Sequence, residues 1–177
     1  MKLNEDVIDF FNKQNFVIVF TIDKNAAPHS SCKGIVKIDP KGIIYLLDLY
    51  KGKTRKNLAN NNKASLTAVD EHKFKGYCLK GTASEIAAAD IDADVADEWK
   101  KKITQRITHR LIKNIHGEKG HPYHPEAQMP RPEYIIRISL CRVIYIITNR
   151  TSVFFHNNYF NYEILVYRPR SKLCLKI

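Results

Sequence analysis

Residues 42–67 decide the fold, and they read GIIYLLDLYKGKTRKNLANNNKASLT. The apolar run Ile43–Leu47 follows a turn and has the length of a buried strand. Residues 51–62 are polar and basic, with a helix-like centre at 55–60, and residues 64–69 are strand-like again. The stretch therefore predicts two short strands joined by a basic helical connection.

The flanking sequence extends this pattern of short strands and tight turns. Asp39-Pro40-Lys41-Gly42 is a strong hairpin turn before the first of these strands, and Gly76 and Gly81 predict a bend or bulge further along. Tight turns favour antiparallel pairing, and closing the sheet removes its exposed edges. We predict a mainly β (α+β) fold, a small antiparallel barrel with flanking helices, whose further strands cover residues 16–22, 28–38, 74–86 and 134–147.

Two helices are predicted outside the strands. Asn4 can cap a short amphipathic helix at the start of the chain. Residues 87–115 carry acids early and bases late, as the helix dipole favours. Their apolar positions recur at four-residue steps and predict one long amphipathic helix: Val95, Trp99, Ile103, Ile107 and Leu111.

The 177 residues divide into one predicted domain, 1–147, and an atypical extension, 148–177. The extension is rich in aromatic residues and arginine and contains one acid, Glu163. Its composition is explained by an added hairpin, by a segment that orders only against a partner, or by a shifted reading frame, and no function is assigned to it.

Composition narrows the function classes. The net charge of +11 indicates an anionic partner, which is a nucleic acid, a lipid surface or a phosphorylated small molecule, or else serves solubility alone. The four cysteines are widely separated and form no CxxC pair, so the sequence indicates neither a zinc site nor a dithiol motif. No signal peptide and no apolar stretch of membrane-spanning length are found, and we expect a cytoplasmic protein.

The stretch KGKTRKNL, residues 51–58, carries the most pointed chemistry. It places four cations, a hydroxyl and a glycine at a predicted helix N-terminus, where unpaired N–H groups and the dipole favour an anion. Arg55 can donate two parallel hydrogen bonds to phosphate oxygens, Lys53 can supply a point charge, and Thr54 can supply a neutral hydrogen-bond donor. A solvated basic helix start is the alternative.

A second polar stretch, PHSSCKG at residues 28–34, lies on an otherwise apolar strand. Small polar residues there suit a strand that lines a polar ligand, and Gly34 permits close approach. A strand near a sheet edge that faces water explains them equally well.

Taken together, these motifs resemble the N-terminal half of FMN-binding split barrels of the pyridoxamine 5'-phosphate oxidase-like superfamily. The matching runs are IDKNAAPHSSCKGI at 22–35, GIIYLLD at 42–48 and KGKTRKNLANNNKASLT at 51–67. The resemblance implies a six-stranded split β-barrel and a homodimer with FMN at the subunit interface. It also implies an FMN-dependent oxidoreductase that transfers hydride or electrons to an unidentified small molecule, in the manner of a nitroreductase or of the oxidase.

The resemblance also implies which residues hold the cofactor. Second-strand residues would lie beside the flavin ring, Asp48 near the ribityl chain or ring edge, and the basic turn around the phosphate, while Tyr77 or Lys80 would reach the partner's cofactor. The implied FMN-binding residues are Ser30, Ser31, Lys33, Asp48, Lys53, Thr54, Arg55, Lys56 and Tyr77. The arginine and tryptophan features with which the true oxidase recognises pyridoxamine phosphate have no clear equivalent, so vitamin B6 oxidation is not expected.

Other readings stay open. His116, His121 and His124 form an H-x4-H-x2-H pattern, which is read as a polar loop over the barrel mouth or, less favoured by its spacing, a metal site; no metal is predicted. A non-enzymatic flavin or tetrapyrrole binder is the second function class. A polyanion-binding module is the third, although no nucleic-acid-binding motif supports it.

Overall fold

The computed structural model describes residues 1–14, 16–117 and 132–147, together with the backbone of Tyr162–Val166. A 3-10 turn, Ala88–Asp90, precedes the helix Ala93–Ile115. The elements in chain order are α1 (Glu5–Asn12), β1 (Val17–Ile22), β2 (Pro28–Asp39), β3 (Ile43–Leu47), α2 (Lys53–Asn60), β4 (Lys63–Asp70), β5 (Lys75–Ala87), α3 (Ala93–Ile115), β6 (Tyr134–Ile147) and β7 (Tyr162–Val166).

Strands β1 to β6 form a closed antiparallel barrel. Their order is β3-β2-β1-β4-β5-β6, and pairing of β3 with β6 closes the ring. The strand β7 adds to β6 in parallel, outside the ring. The predicted six-stranded split barrel with flanking helices is therefore confirmed. Tight turns pair successive strands antiparallel, and closing the sheet removes its exposed edges.

The hairpin before β3 forms as its sequence predicts. The Gly42 N–H donates to the Asp39 carbonyl at 2.9 Å, and the Asp39 carboxylate accepts from the Lys41 N–H at 2.7 Å. Gly42 has a φ of 80°, a left-handed conformation that glycine adopts without strain. The turn between β1 and β2 places Ala26 at a φ of 62°, where a glycine would be usual.

The helix α1 packs against the barrel core and covers one part of it. Asn4 caps it, its side chain accepting from the Asp6 N–H at 3.2 Å. The apolar face of the helix brings Phe10 and Phe11 against Tyr77 of β5, with ring centroids 4.9 and 6.2 Å away. Tyr77 is 1% exposed, so its ring belongs to the barrel interior.

The helix α3 packs most tightly on the barrel at its start. Val95 is buried among Val36, Tyr45 and Ile135, and Trp99 packs against the same cluster. The rest of the predicted apolar stripe is progressively less covered, and Leu111 is 58% exposed in the part of the chain described. The amphipathic pattern thus predicts the helix correctly, while its tight packing is limited to the first turns.

The predicted strand and helix bounds agree with the structure to within about two residues, except that the long helix begins at Ala93 after the 3-10 turn. Among the described residues, no helix combines the length and the apolar character that crossing a membrane requires. The predicted extension 148–177 lies outside the described residues apart from the backbone of β7.

A predicted glycine bulge shapes the longest pair of strands. The register of β5 against β6 shifts between Lys80 and Gly81. A Cβ on Gly81 would lie 2.9 Å from Ile138 Cγ2 and 3.0 Å from the Ser139 carbonyl carbon, with the Ser139 oxygen closer still. Because two of these neighbours are backbone atoms of β6, a side chain at position 81 would require the backbone of β6 to shift.

We therefore predict that Gly81→Ala lowers the free energy of unfolding by about 1–3 kcal/mol through overpacking. Urea denaturation followed by circular dichroism measures the change. The control is Ser84→Ala on the exposed face of the same strand, which we expect to shift stability by less than about 0.5 kcal/mol. Equal stabilities for the two variants would contradict the tight approach at Gly81.

Candidate functional site

A buried carboxylate, Asp48, lies at the centre of the site, directly after β3. It accepts hydrogen bonds from Lys33 Nζ of β2 at 2.5 Å and from the Tyr134 hydroxyl of β6 at 2.8 Å. The Asp48 side chain is fully buried and that of Lys33 is 8% exposed. A charge in such a place needs a partner and further hydrogen bonds, and both are present. Burial, together with the bond to Asp48, raises the pKa of Tyr134 above its ordinary value.

Arg55 of α2 extends this cluster. Its guanidinium lies over the Tyr134 ring, 4.5 Å from the centroid. The same group donates to both carboxylate oxygens of Glu85 on β5, at 2.7 and 2.5 Å. The guanidinium, which the sequence analysis assigned to a phosphate, therefore donates to Glu85 instead. Its contacts with Glu85 and Tyr134 connect α2 to β5 and β6.

Two further bonds fasten α2 to the barrel. The hydroxyls of Ser31 on β2 and Thr54 on α2 lie 2.8 Å apart. Asn57 Nδ2 donates to Thr21 Oγ1 of β1 at 3.0 Å. Thr21, Thr54 and Asn57 are all buried, so these bonds satisfy polar groups that would otherwise be costly.

The N-terminus of α2 is consequently held in a fixed position beside β2. Its N-cap residue is Gly52, which has no side chain with which to cap the helix. Lys53 and Lys56 are exposed, and neither makes an ion pair within the described residues. The start of α2 therefore carries helix N-terminal N–H groups, the exposed Lys53 and Lys56, and the Thr54 hydroxyl bonded to Ser31, a combination that suits an anion such as a phosphate.

A cleft of about 890 Å³ lies between α3 and the strands β2 and β3, and Cys32, Lys33 and Gly34 are among the residues that line it. Ser31, Lys53 and Thr54 are not among its lining residues. Its floor is apolar, with Ile35 and Leu47. The volume is within the range of small-molecule sites.

Most residues that the sequence assigned to FMN are gathered in this region, and two are not. Ser31, Lys33, Asp48, Thr54 and Arg55 belong to the connected cluster described above. Ser30 faces the opposite side of β2, because neighbouring strand residues alternate, and it pairs with Phe20 on the outer surface. Tyr77 is enclosed in the barrel core beneath α1 and does not reach the cluster.

Sequence reasoning missed several residues of the site. Tyr134 and Glu85 are brought to the cluster only by the fold, because they lie far along the chain from their partners Asp48 and Arg55. The cations of α3 that line the cleft were visible as a repeated helical face, yet they were attributed to the dipole alone: Lys102, Arg106, Arg110 and Lys113.

The histidine pattern is tested only in part. His109 lines the cleft and His116 follows α3, whereas His121 and His124 lie outside the described residues. Within residues 1–14, 16–117 and 132–147, no group of three or more histidine, cysteine or acidic side chains is arranged to hold a metal ion.

Comparison with solved structures identifies similar folds. HupZ from Group A Streptococcus is 20% identical, with a TM-score of 0.57 over 85% of this chain and 99% of that one. A putative pyridoxamine 5'-phosphate oxidase from Lactobacillus delbrueckii is 19% identical, with a TM-score of 0.52 over 80% and 93%. A conserved hypothetical protein from Mycobacterium tuberculosis is 16% identical, with a TM-score of 0.54 over 86% and 93%. At these identities the similarity concerns the fold.

Sequence comparison supplies the family. A search of curated protein sequences finds no significant match. Residues 3–152, which include the whole barrel, match the sequence profile of the pyridoxamine 5'-phosphate oxidase family. The chain therefore belongs to the pyridoxamine 5'-phosphate oxidase family, as its motifs indicated.

Proposed function

We propose that the chain is an FMN-binding flavoprotein that acts as an oxidoreductase on a small molecule and works as a homodimer. The observation that carries the proposal is the fixed N-terminus of α2, where the hydroxyls of Ser31 and Thr54 lie 2.8 Å apart and Lys53 begins the helix. Family membership and the excess of positive charge agree with a phosphorylated cofactor.

The residues present fit the phosphate end of such a cofactor. Lys53 and Lys56 provide charge for a phosphate monoester, which carries close to two negative charges, and the first turn of α2 provides N–H donors. Arg55 is held by Glu85 and keeps α2 in place. Its guanidinium donates to Glu85, so it would act on the phosphate through its positive charge and not through a direct hydrogen bond. Lys33 is likewise engaged with Asp48, so its charge is fixed at the edge of the cleft.

The cleft fits the flat ring system at the other end of FMN. Ile35, Leu47 and Tyr50 provide apolar surface, and the Arg106 guanidinium lies against the backbone of Gly34 beside them. Bound FMN would supply a reversible acceptor of hydride or electrons. The chain's part is to bind, to orient and to exclude water, which requires no catalytic triad.

The proposed phosphate contact can be tested at Lys53. Lys53→Ala should raise the Kd for FMN about tenfold, because a charged hydrogen bond to phosphate contributes roughly 1.5 kcal/mol or more. Riboflavin, which lacks the phosphate, should bind the variant and the parent protein equally. Flavin fluorescence quenching measures both constants.

The matched control is Lys41→Ala, which removes one exposed lysine from the β2–β3 turn, at the opposite end of β3 from Asp48. We expect it to change neither constant. Equal losses for FMN and riboflavin in Lys53→Ala would contradict the phosphate assignment. Bound flavin that neither NADH nor NADPH reduces would contradict the oxidoreductase part and favour a carrier.

The homodimer is supported by an apolar outer face on the barrel. The outward positions of β1, namely Ile18, Phe20 and Ile22, are each about 40% exposed, and Phe16 beside them is 59% exposed. Val69 on the neighbouring strand β4 is 55% exposed. A contiguous apolar face of this kind marks an interface more often than a free surface.

We predict that Phe20→Lys converts a dimer into a monomer, because a charge at the centre of this face opposes its burial. Size-exclusion chromatography with light scattering measures the mass. Ile115→Lys, which alters an 82% exposed residue at the end of α3, should leave the dimer intact. A parent protein that is monomeric at all concentrations would contradict the proposal.

A further inference from the structure

Two cations at the start of α2 are paired with carboxylates of the neighbouring strands and loops. Arg55 donates two hydrogen bonds to Glu85, at 2.7 and 2.5 Å. Lys51, which precedes α2 by two residues, forms an ion pair with Glu133. The positive charge that these two side chains could offer to a phosphate is therefore largely balanced within the chain itself.

The exposure of the Arg55–Glu85 pair distinguishes it from the buried pair of Lys33 and Asp48. In the buried pair the carboxylate has no exposed surface and the lysine is 8% exposed, so neither charge can be left alone without a large cost. The side chains of Arg55 and Glu85 are 41% and 40% exposed, where an ion pair contributes little to stability. The charge of Glu85 can therefore be removed without destabilising the barrel.

Glu85 binds Arg55 with the geometry that a phosphate would use. The Nε and Nη2 atoms of Arg55 each donate to one carboxylate oxygen, and a guanidinium makes the same pair of parallel bonds to two phosphate oxygens. Arg55 is the third residue of α2 and lies in its first turn. The carboxylate thus takes up two strong donors beside the proposed phosphate site.

Glu85 is not the only group that keeps this part of the structure in position. The guanidinium of Arg55 also lies over the Tyr134 ring, 4.5 Å from its centroid. The bond between the Ser31 and Thr54 hydroxyls holds the same turn of α2 to β2. Exchange of the Glu85 carboxylate for an amide should therefore change the charge beside α2 and leave the helix where it is.

The proposed phosphate would meet only a modest positive charge. Lys53 and Lys56 are the exposed cations of the first turn that make no ion pair within the described residues. Both are flexible point charges, which lose side-chain entropy when they are held against a ligand. A phosphate monoester carries close to two negative charges, and the charge of Glu85 nearby would repel it.

We propose that Glu85 limits the affinity of the start of α2 for phosphate, so that FMN exchanges with solution between turnovers instead of staying permanently bound. The carboxylate does this in two ways, because it occupies the donors of Arg55 and because its own charge opposes the dianion. The identity of the ligand as FMN rests on the proposed function. The effect of Glu85 on phosphate binding does not.

The test is Glu85→Gln in the full chain, which keeps the shape of the side chain and removes its charge. We expect the Kd for FMN to fall about tenfold, because a charged hydrogen bond from Arg55 to phosphate is gained. Riboflavin, which has no phosphate, should bind both proteins equally. An FMN affinity that is unchanged or weaker in the variant would overturn the proposal, and so would parent protein that retains all its FMN through prolonged dialysis.

Two further variants show how Glu85 acts. Glu71→Gln removes the same charge from the turn between β4 and β5, where the side chain is 88% exposed, and should change the Kd by less than twofold. In an Arg55→Gln background, Glu85→Gln should tighten FMN binding by less than about threefold, because only the repulsion is then relieved. Equal tightening with and without Arg55, or by Glu71→Gln, would overturn the role given to the Arg55–Glu85 pair. Thermal denaturation checks that each variant is folded.

Inorganic phosphate separates this proposal from the preceding one. Titrated into the parent protein and into Glu85→Gln by calorimetry, it should bind the variant about tenfold more tightly. If phosphate shows this difference and neither flavin binds, the proposed function fails and the role of Glu85 stands. If the flavins bind and neither FMN nor phosphate distinguishes the two proteins, the proposed function stands and the role of Glu85 is overturned.

Discussion

The buried charge of Asp48 is the constraint on which the rest of the site depends. A carboxylate with no exposed surface is tolerated only when its lone pairs are satisfied, and Lys33 and Tyr134 satisfy them from two different strands. The strand of Tyr134, β6, is also the strand that closes the barrel on β3. Loss of one partner of such a buried pair typically costs about 3–5 kcal/mol. Closure of the barrel and assembly of the site are therefore coupled.

From Asp48 the coupling continues to α2. Tyr134, fixed by its bond to Asp48, supports the guanidinium of Arg55, and Glu85 holds that guanidinium from a third strand. The Ser31–Thr54 bond acts on the same helix from β2. The first turn of α2 is thus positioned by several elements of the barrel. A helix N-terminus held in this way is preorganised, so the proposed phosphate site would need little ordering when a ligand arrives.

The sequence predicts the barrel well because its determinants are local. Strand length, the Asp39–Gly42 turn and the Gly81 bulge are each encoded within a few residues. The site is less predictable, because Tyr134 and Asp48 are 86 positions apart and Arg55 and Glu85 are 30 apart. Strand alternation would have excluded Ser30 as a companion of Ser31 from the sequence alone. The burial of Tyr77 depends on where α1 docks, which no local pattern specifies.

The helix α3 differs from the barrel in how it is attached. Among its described residues, only Val95 is buried, and the last turns, in which Leu111, Ile112 and Ile115 are exposed, depend little on the strands for their stability. Substitutions in those turns would consequently carry a small folding penalty, whereas a change at Asp48 would carry a large one. Evolution could therefore diversify ligand preference along this wall of the cleft while selection on the scaffold continues to hold the cluster around Asp48 unchanged.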